Sequence, residues 1–81
     1  MDDTEILGRI KDLVDEEHEL RQRAVRHDLS TDEERARLRV VEESLDQCWD
    51  LLRQRRARRG AGENPDEARP RPANEVESYW Q

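Results

Sequence analysis

Apolar residues in the first third of the chain fall at Ile6, Leu7, Ile10, Leu13, Val14, Leu20 and Ala24. Ile6, Ile10 and Leu13, and again Leu20 and Ala24, step by three or four, the spacing that lines one side of an α-helix. The pattern predicts a helix from Asp3 to about His27. Asp2, Asp3 and Glu5 suit the positive end of its dipole, and Thr4 or Asp3 is the expected N-cap. The stretch Arg26-His27-Asp28-Leu29-Ser30 breaks the pattern and reads as a turn. Ser30 followed by Glu33 reads as a capping box, opening a second helix from Thr31 to about Arg59. The seam of that helix is Leu38, Val41, Leu45, Cys48 and Leu52, with Gly60 and Gly62 as its stop.

A short connection between two helices makes them antiparallel neighbours. Folding the chain about Asp28–Ser30 sets Leu20 against Leu38, Leu13 against Leu45, Ile10 against Cys48, and Ile6 against Leu52. The same register brings Asp2, Asp3 and Glu5 beside Arg53, Arg55 and Arg56. Pattern, turn and charge agree on one hairpin. The expected fold is therefore all-α: an antiparallel two-helix hairpin over residues 1–59, followed by an extended C-terminal arm over 60–81. Gly60, Gly62, Pro65, Pro70 and Pro72 mark that arm as irregular, and Tyr79 and Trp80 give it an aromatic end that a purely solvated tail would not need.

Composition changes this picture in one respect. Hydrophobic residues make up 32% of the 81-residue chain and charged residues 44%, and there is no Phe. That is thin material for a core. Two helices alone would leave Leu7, Val14, Trp49 and Leu51 half exposed beside the seam. Three sources of cover suggest themselves: a homodimer forming a four-helix bundle, the arm folding back, or another protein. The homodimer, with the arm packed across it, is the preferred expectation because symmetric pairs are the commonest solution.

No apolar run approaches the ~20 residues of a membrane span. The acidic start is unlike a signal peptide, and the lone Cys48 allows no internal disulfide. These features lead to an expectation of a cytoplasmic protein without membrane contact. Lys11 is the single lysine among 15 basic residues, a bias that points to a GC-rich genome.

Candidate chemistry is sparse. Arg53, Arg55, Arg56, Arg58 and Arg59 could contact a polyanion, which makes nucleic acid the alternative partner. The competing reading is a helix end neutralising its own dipole and the acidic start of helix 1, in a chain whose formal net charge is −6. Asp15 with His18, and Glu42 with Asp46, have helical metal-pair spacing, yet the seam turns His18 outward. Glu17 interrupts the seam opposite Val41, either as a buried polar contact that fixes register or at a locally open edge. Cys48 reads as a small core residue with no base beside it. No phosphate-cradling loop or catalytic constellation is recognisable. The expectation is no enzyme activity, no cofactor and no metal.

The string Leu45-Asp46-Gln47-Cys48-Trp49-Asp50-Leu51-Leu52-Arg53-Gln54-Arg55-Arg56-Ala57 resembles the signature of a family of short actinobacterial proteins catalogued as domain of unknown function 2630. Glu16-Glu17-His18-Glu19-Leu20, Asn64-Pro65-Asp66 and Val76-Glu77-Ser78-Tyr79 resemble it as well. The resemblance implies a stand-alone small protein and transfers no activity, substrate or catalytic residue. It also suggests that the arm packs on helix 2 near Trp49. The reading that follows is a small interaction or regulatory protein, homodimeric or bound to another protein through helix-to-helix contact. Leu45, Trp49 and Leu52 are the expected interface, and Tyr79 and Trp80 an added anchor.

Overall fold

The computed structural model describes residues 2–26, 31–72, 74 and 76. Two helices, α1 (Asp3–Arg26) and α2 (Asp32–Gly60), are followed by a 3-10 turn over Pro65–Glu67. The described residues contain no strand. The connecting residues 27–30, where the pattern predicts the turn, lie outside the described residues.

Each helix end has an identifiable chemical cause. Asp2 caps α1, with its Oδ1 accepting from the Glu5 amide at 2.8 Å. The cap thus falls one residue before the Asp3 or Thr4 expected from sequence, and both of those lie inside the helix. The capping box of α2 is Thr31 with Glu34, one residue later than the Ser30–Glu33 pair. Thr31 Oγ1 accepts from the Glu34 amide at 3.0 Å, and the Glu34 carboxylate accepts from the Thr31 amide at 3.4 Å. Both registers offer a hydroxyl three residues before a glutamate, so the spacing alone cannot choose between them.

The far end of α2 closes in a Schellman turn. The Glu63 amide reaches back to the Arg58 carbonyl at 2.7 Å and the Gly62 amide to that of Arg59 at 3.2 Å. Gly62 supplies the φ of 76° that this reversal requires. The reversal sends the arm back along α2.

The antiparallel hairpin is formed as its pattern predicts. Ile6, Ile10, Leu20, Val41, Leu45, Cys48 and Leu51 make one buried cluster, with Leu13, Leu38 and Leu52 packed partly buried against it. Cross-helix ion pairs follow the antiparallel order: Asp3 with Arg55, Glu16 with Arg37, and Arg21 with Glu42. Ala68 of the arm joins the cluster, and Val76 is fully buried. Leu51, expected to stand half exposed, is instead buried on the side of α2 that faces the arm. The arm is also more structured than an extended tail, because the 3-10 turn carries its own cap at Asn64.

Ile6 has no exposed surface, so Ile6→Ala should cost about 2–5 kcal/mol. Thr31→Ala removes only a cap and should cost about 1 kcal/mol. Urea melts of the two variants beside the parent chain check both the order and the ratio.

Candidate functional site

Two ion pairs define the two flanks of the hairpin. On one, Arg37 grips Glu16 in a two-pronged contact, Nε to Oε2 at 2.5 Å and Nη2 to Oε1 at 2.9 Å. On the other, Arg21 Nη2 donates to Glu42 Oε1 at 2.7 Å. Residues seven apart on a helix lie nearly in line. Leu7 and Val14 therefore share the Arg21 flank of α1, and Trp49 shares the Glu42 flank of α2. Arg9 and Gln47 belong to the opposite flank, where they line a cavity of about 230 Å³ together with Cys48 and the arm's Pro70.

On that opposite flank α2 holds the arm by its side chains. Gln54 Nε2 donates to the Arg69 carbonyl at 2.8 Å, and Gln47 Nε2 to the Arg71 carbonyl at 3.1 Å. Between them Asp50, 1% exposed, takes the Arg71 guanidinium through both of its oxygens, with Arg71 Nε at 2.9 Å from Oδ2. Gln54 Nε2 also donates to Asp50 Oδ2 at 2.9 Å, fixing the carboxylate. Gln47, Asp50 and Gln54 stand at helical spacing, so a single stripe reads two alternate carbonyls and one arginine of Arg69-Pro70-Arg71. Over Arg69–Arg71 the arm packs on α2 as expected but on the flank away from Trp49, in a groove lined by Gln47, Leu51 and Gln54. The end over residues 77–79, on which the expectation of packing near Trp49 rested, lies outside the described residues.

A second polar centre lies at the base. Arg55, 6% exposed, donates from Nε to Asp3 Oδ1 at 2.6 Å, and from Nη1 to Asp66 Oδ1 at 3.0 Å and the Pro65 carbonyl at 3.1 Å. Arg59 adds Nη2 to Asp3 Oδ2 at 2.8 Å. Hydrogen bonds from Arg59 and then Arg55 hold the Asp3 carboxyl below its ordinary value. The Arg71 guanidinium does the same to Asp50, against an opposing push from burial.

The remaining residues singled out by sequence fall as follows. Within the arginine block, Arg55 is buried in carboxylate and carbonyl contacts, Arg58 lies 3.4 Å from Glu63 and 3.6 Å from Glu67, and Arg59 is bound to Asp3. Arg53 and Arg56 are exposed. The block is thus no continuous strip open to a polyanion. Leu45 is buried in the chain's own core, Leu52 packs partly buried beside it, and Trp49 is 44% exposed. Tyr79 and Trp80 lie outside the described residues. Glu17 is half-buried, with 27% of its side chain exposed, and stands 4.0 Å from Arg21. His18 is exposed, Glu42 is engaged by Arg21, and no group of three His, Cys, Asp or Glu among the described residues could hold a metal ion. No described helix is long and apolar enough to cross a membrane.

Sequence reasoning missed the Gln47–Asp50–Gln54 stripe. The signal was present in Asp50, a carboxylate set among Cys48, Trp49, Leu51 and Leu52, and in the only arginine with a proline on each side, Arg71. A charge in an apolar run asks for a counter-ion.

Fold and site together define a small all-helical protein, a hairpin clasped along one flank by its own C-terminal arm. The chain belongs to the family described as protein of unknown function (DUF2630), whose model matches residues 2–81. It is similar to an uncharacterized protein of Mycobacterium tuberculosis and to one of Mycobacterium bovis. Each is 53% identical over 77 residues, covering 95% of this chain and 88% of the relative. No solved structure matches it.

Asp50 and Asp3 both have folded pKa values below the ordinary 3.8. Their contribution to stability is therefore complete above that value and is lost as pH falls through the lower, folded one. Asp50→Asn should cost about 2 kcal/mol at pH 7 and shrink the stability difference between pH 7 and pH 3. Urea midpoints at the two pH values measure this, and an unchanged acid limb would rule out Asp50 as a source of the pH dependence.

Proposed function

We propose that this chain is a small non-enzymatic adaptor or regulator of the cytoplasm that pairs with a second copy of itself through helix-to-helix contact. The observation that carries this reading is the apolar group on the flank opposite the Arg69–Arg71 stretch: Leu7 is 51% exposed, Val14 45% and Trp49 44%. Single exposed apolar side chains are ordinary, whereas three converging from two helices mark a surface with a use. The ion-pair register places Trp49 between the levels of Leu7 and Val14. A two-fold axis through that level lays the patch upon itself, indole against aliphatic, and makes a four-helix bundle.

Trp49 is the anchor in this arrangement, since buried indoles commonly dominate interface energy. Leu45 and Leu52 act from beneath, by holding the α2 backbone that presents it. Nucleic-acid binding has less to stand on, because Arg55, Arg58 and Arg59 of the block spend their charge on carboxylates of the same chain.

Light scattering over a dilution series should give twice the mass expected for 9.7 kDa. Trp49→Lys should halve that mass and leave the helical circular-dichroism signal in place. A parent chain that is monomeric at every concentration sinks the proposal, as does a Trp49→Lys variant of unchanged mass.

A further inference from the structure

The contact between arm and α2 has the form of peptide recognition. Among the described residues, the arm's backbone hydrogen bonds beyond Glu63 stay within the arm: Glu67 to Asn64, Ala68 to Pro65, Val76 to Pro72. What grips it is a set of helix side chains reaching its carbonyls and one guanidinium. Such a site reads an extended segment without regard to how that segment is joined to the helix. Gln47 and Gln54 take the carbonyls of Arg71 and Arg69, Asp50 takes the Arg71 side chain, and Pro70 reaches the cavity beside Cys48.

We infer that the Gln47–Asp50–Gln54 stripe is a binding site for an extended, proline-flanked arginine segment, and that the partner it fits is the arm of a second copy of this chain. Asp50 decides the occupant. Its carboxylate is almost fully buried, and a buried charge without its counter-ion is far costlier than a paired one. Simple opening of the arm is therefore disfavoured, while exchange for another Arg-Pro-Arg-Pro segment restores every contact. A second copy carries that segment in identical form. The connection that would have to re-route is Gly60-Ala61-Gly62, in which a Cβ added at either glycine meets nothing within 4 Å. The site lies on the flank opposite Trp49, so it acts independently of the pairing proposed above.

The test uses a fluorescently labelled synthetic peptide of residues 63–76, added to full-length chains and followed by anisotropy. In the parent chain the tethered arm competes and binding is weak. Arg71→Ala removes that competitor's anchor, and the peptide should bind this variant roughly tenfold or more tightly than the parent. Adding Asp50→Asn to Arg71→Ala should abolish the gain, and a peptide with its own Arg71→Ala change should not bind. Should Arg71→Ala lose helical signal on its own, the peptide must restore it, whereas the altered peptide must not. A folded Arg71→Ala chain that binds the peptide no better than the parent overturns the inference. So does undiminished binding with Asp50→Asn, or an unfolded Arg71→Ala chain that the peptide fails to rescue.

Discussion

Arg55 is the group on which the arrangement turns. Its guanidinium lies inside the protein, where an unpaired charge would be several kcal/mol out of balance, on the order of the whole stability of a small domain. Three groups from two separate stretches neutralise and satisfy it: Asp3 at the start of α1, and the Asp66 carboxylate and Pro65 carbonyl in the 3-10 turn. Burying Arg55 is thus possible only when α1 is in register with α2 and the arm has already turned back. A single side chain ties the correctness of the hairpin to the placement of the arm. In a chain with so few apolar residues, such a polar centre specifies the fold more than it deepens its stability.

The arm then resolves a shortage that the helices cannot. Two helices meet along one line, and each leaves an apolar shoulder on either side of it. Over its described residues the arm covers one shoulder, with Leu51 buried in the same cluster as Ala68 and beside Pro70. Beside the apolar contact of Ala68, its polar grip runs through two amides, one carboxylate and Arg55. That suits a segment whose prolines at 65, 70 and 72 cannot donate from the backbone and whose carbonyls remain available to donors. The outcome is a molecule with two unlike flanks, one filled from within and one that presents Leu7, Val14 and Trp49.

Much of this is legible in the order of the amino acids. The three-four spacing of Ile6, Ile10, Leu13 and Leu20 against Leu38, Val41, Leu45, Cys48 and Leu52 determines both helices and their register, because apolar periodicity acts over many residues at once. The pairing of Asp3 with Arg55 follows from that register. What is not legible depends on single positions. The cap of α2 could sit at Ser30 or Thr31, as each has a glutamate three residues on. The course of the arm is hidden because an irregular segment has no period, so neither the burial of Leu51 nor the choice of flank can be read. Arg58 and Arg59 look open to a partner because their carboxylates, Glu63, Glu67 and Asp3, lie beyond the helix or across the hairpin.

The stretch from Gln47 to Leu52 shows why so few residues can serve so many contacts. A helix turns about 100° per residue, so neighbours in sequence face different surroundings. Gln47 meets the arm, Cys48 the core, Trp49 the open flank, Asp50 the arm again, and Leu51 the junction between arm and core. Each position has a different chemical demand: an amide donor, a small apolar group, a large exposed indole, a carboxylate, an aliphatic side chain. Exchanging Trp49 with Asp50 would set an indole against the Arg71 guanidinium, and exchanging Asp50 with Leu51 would turn a carboxylate toward the core. The composition of this string is therefore fixed by three faces at once, whereas the outward side of α1, with a single face to solvent, carries no comparable constraint.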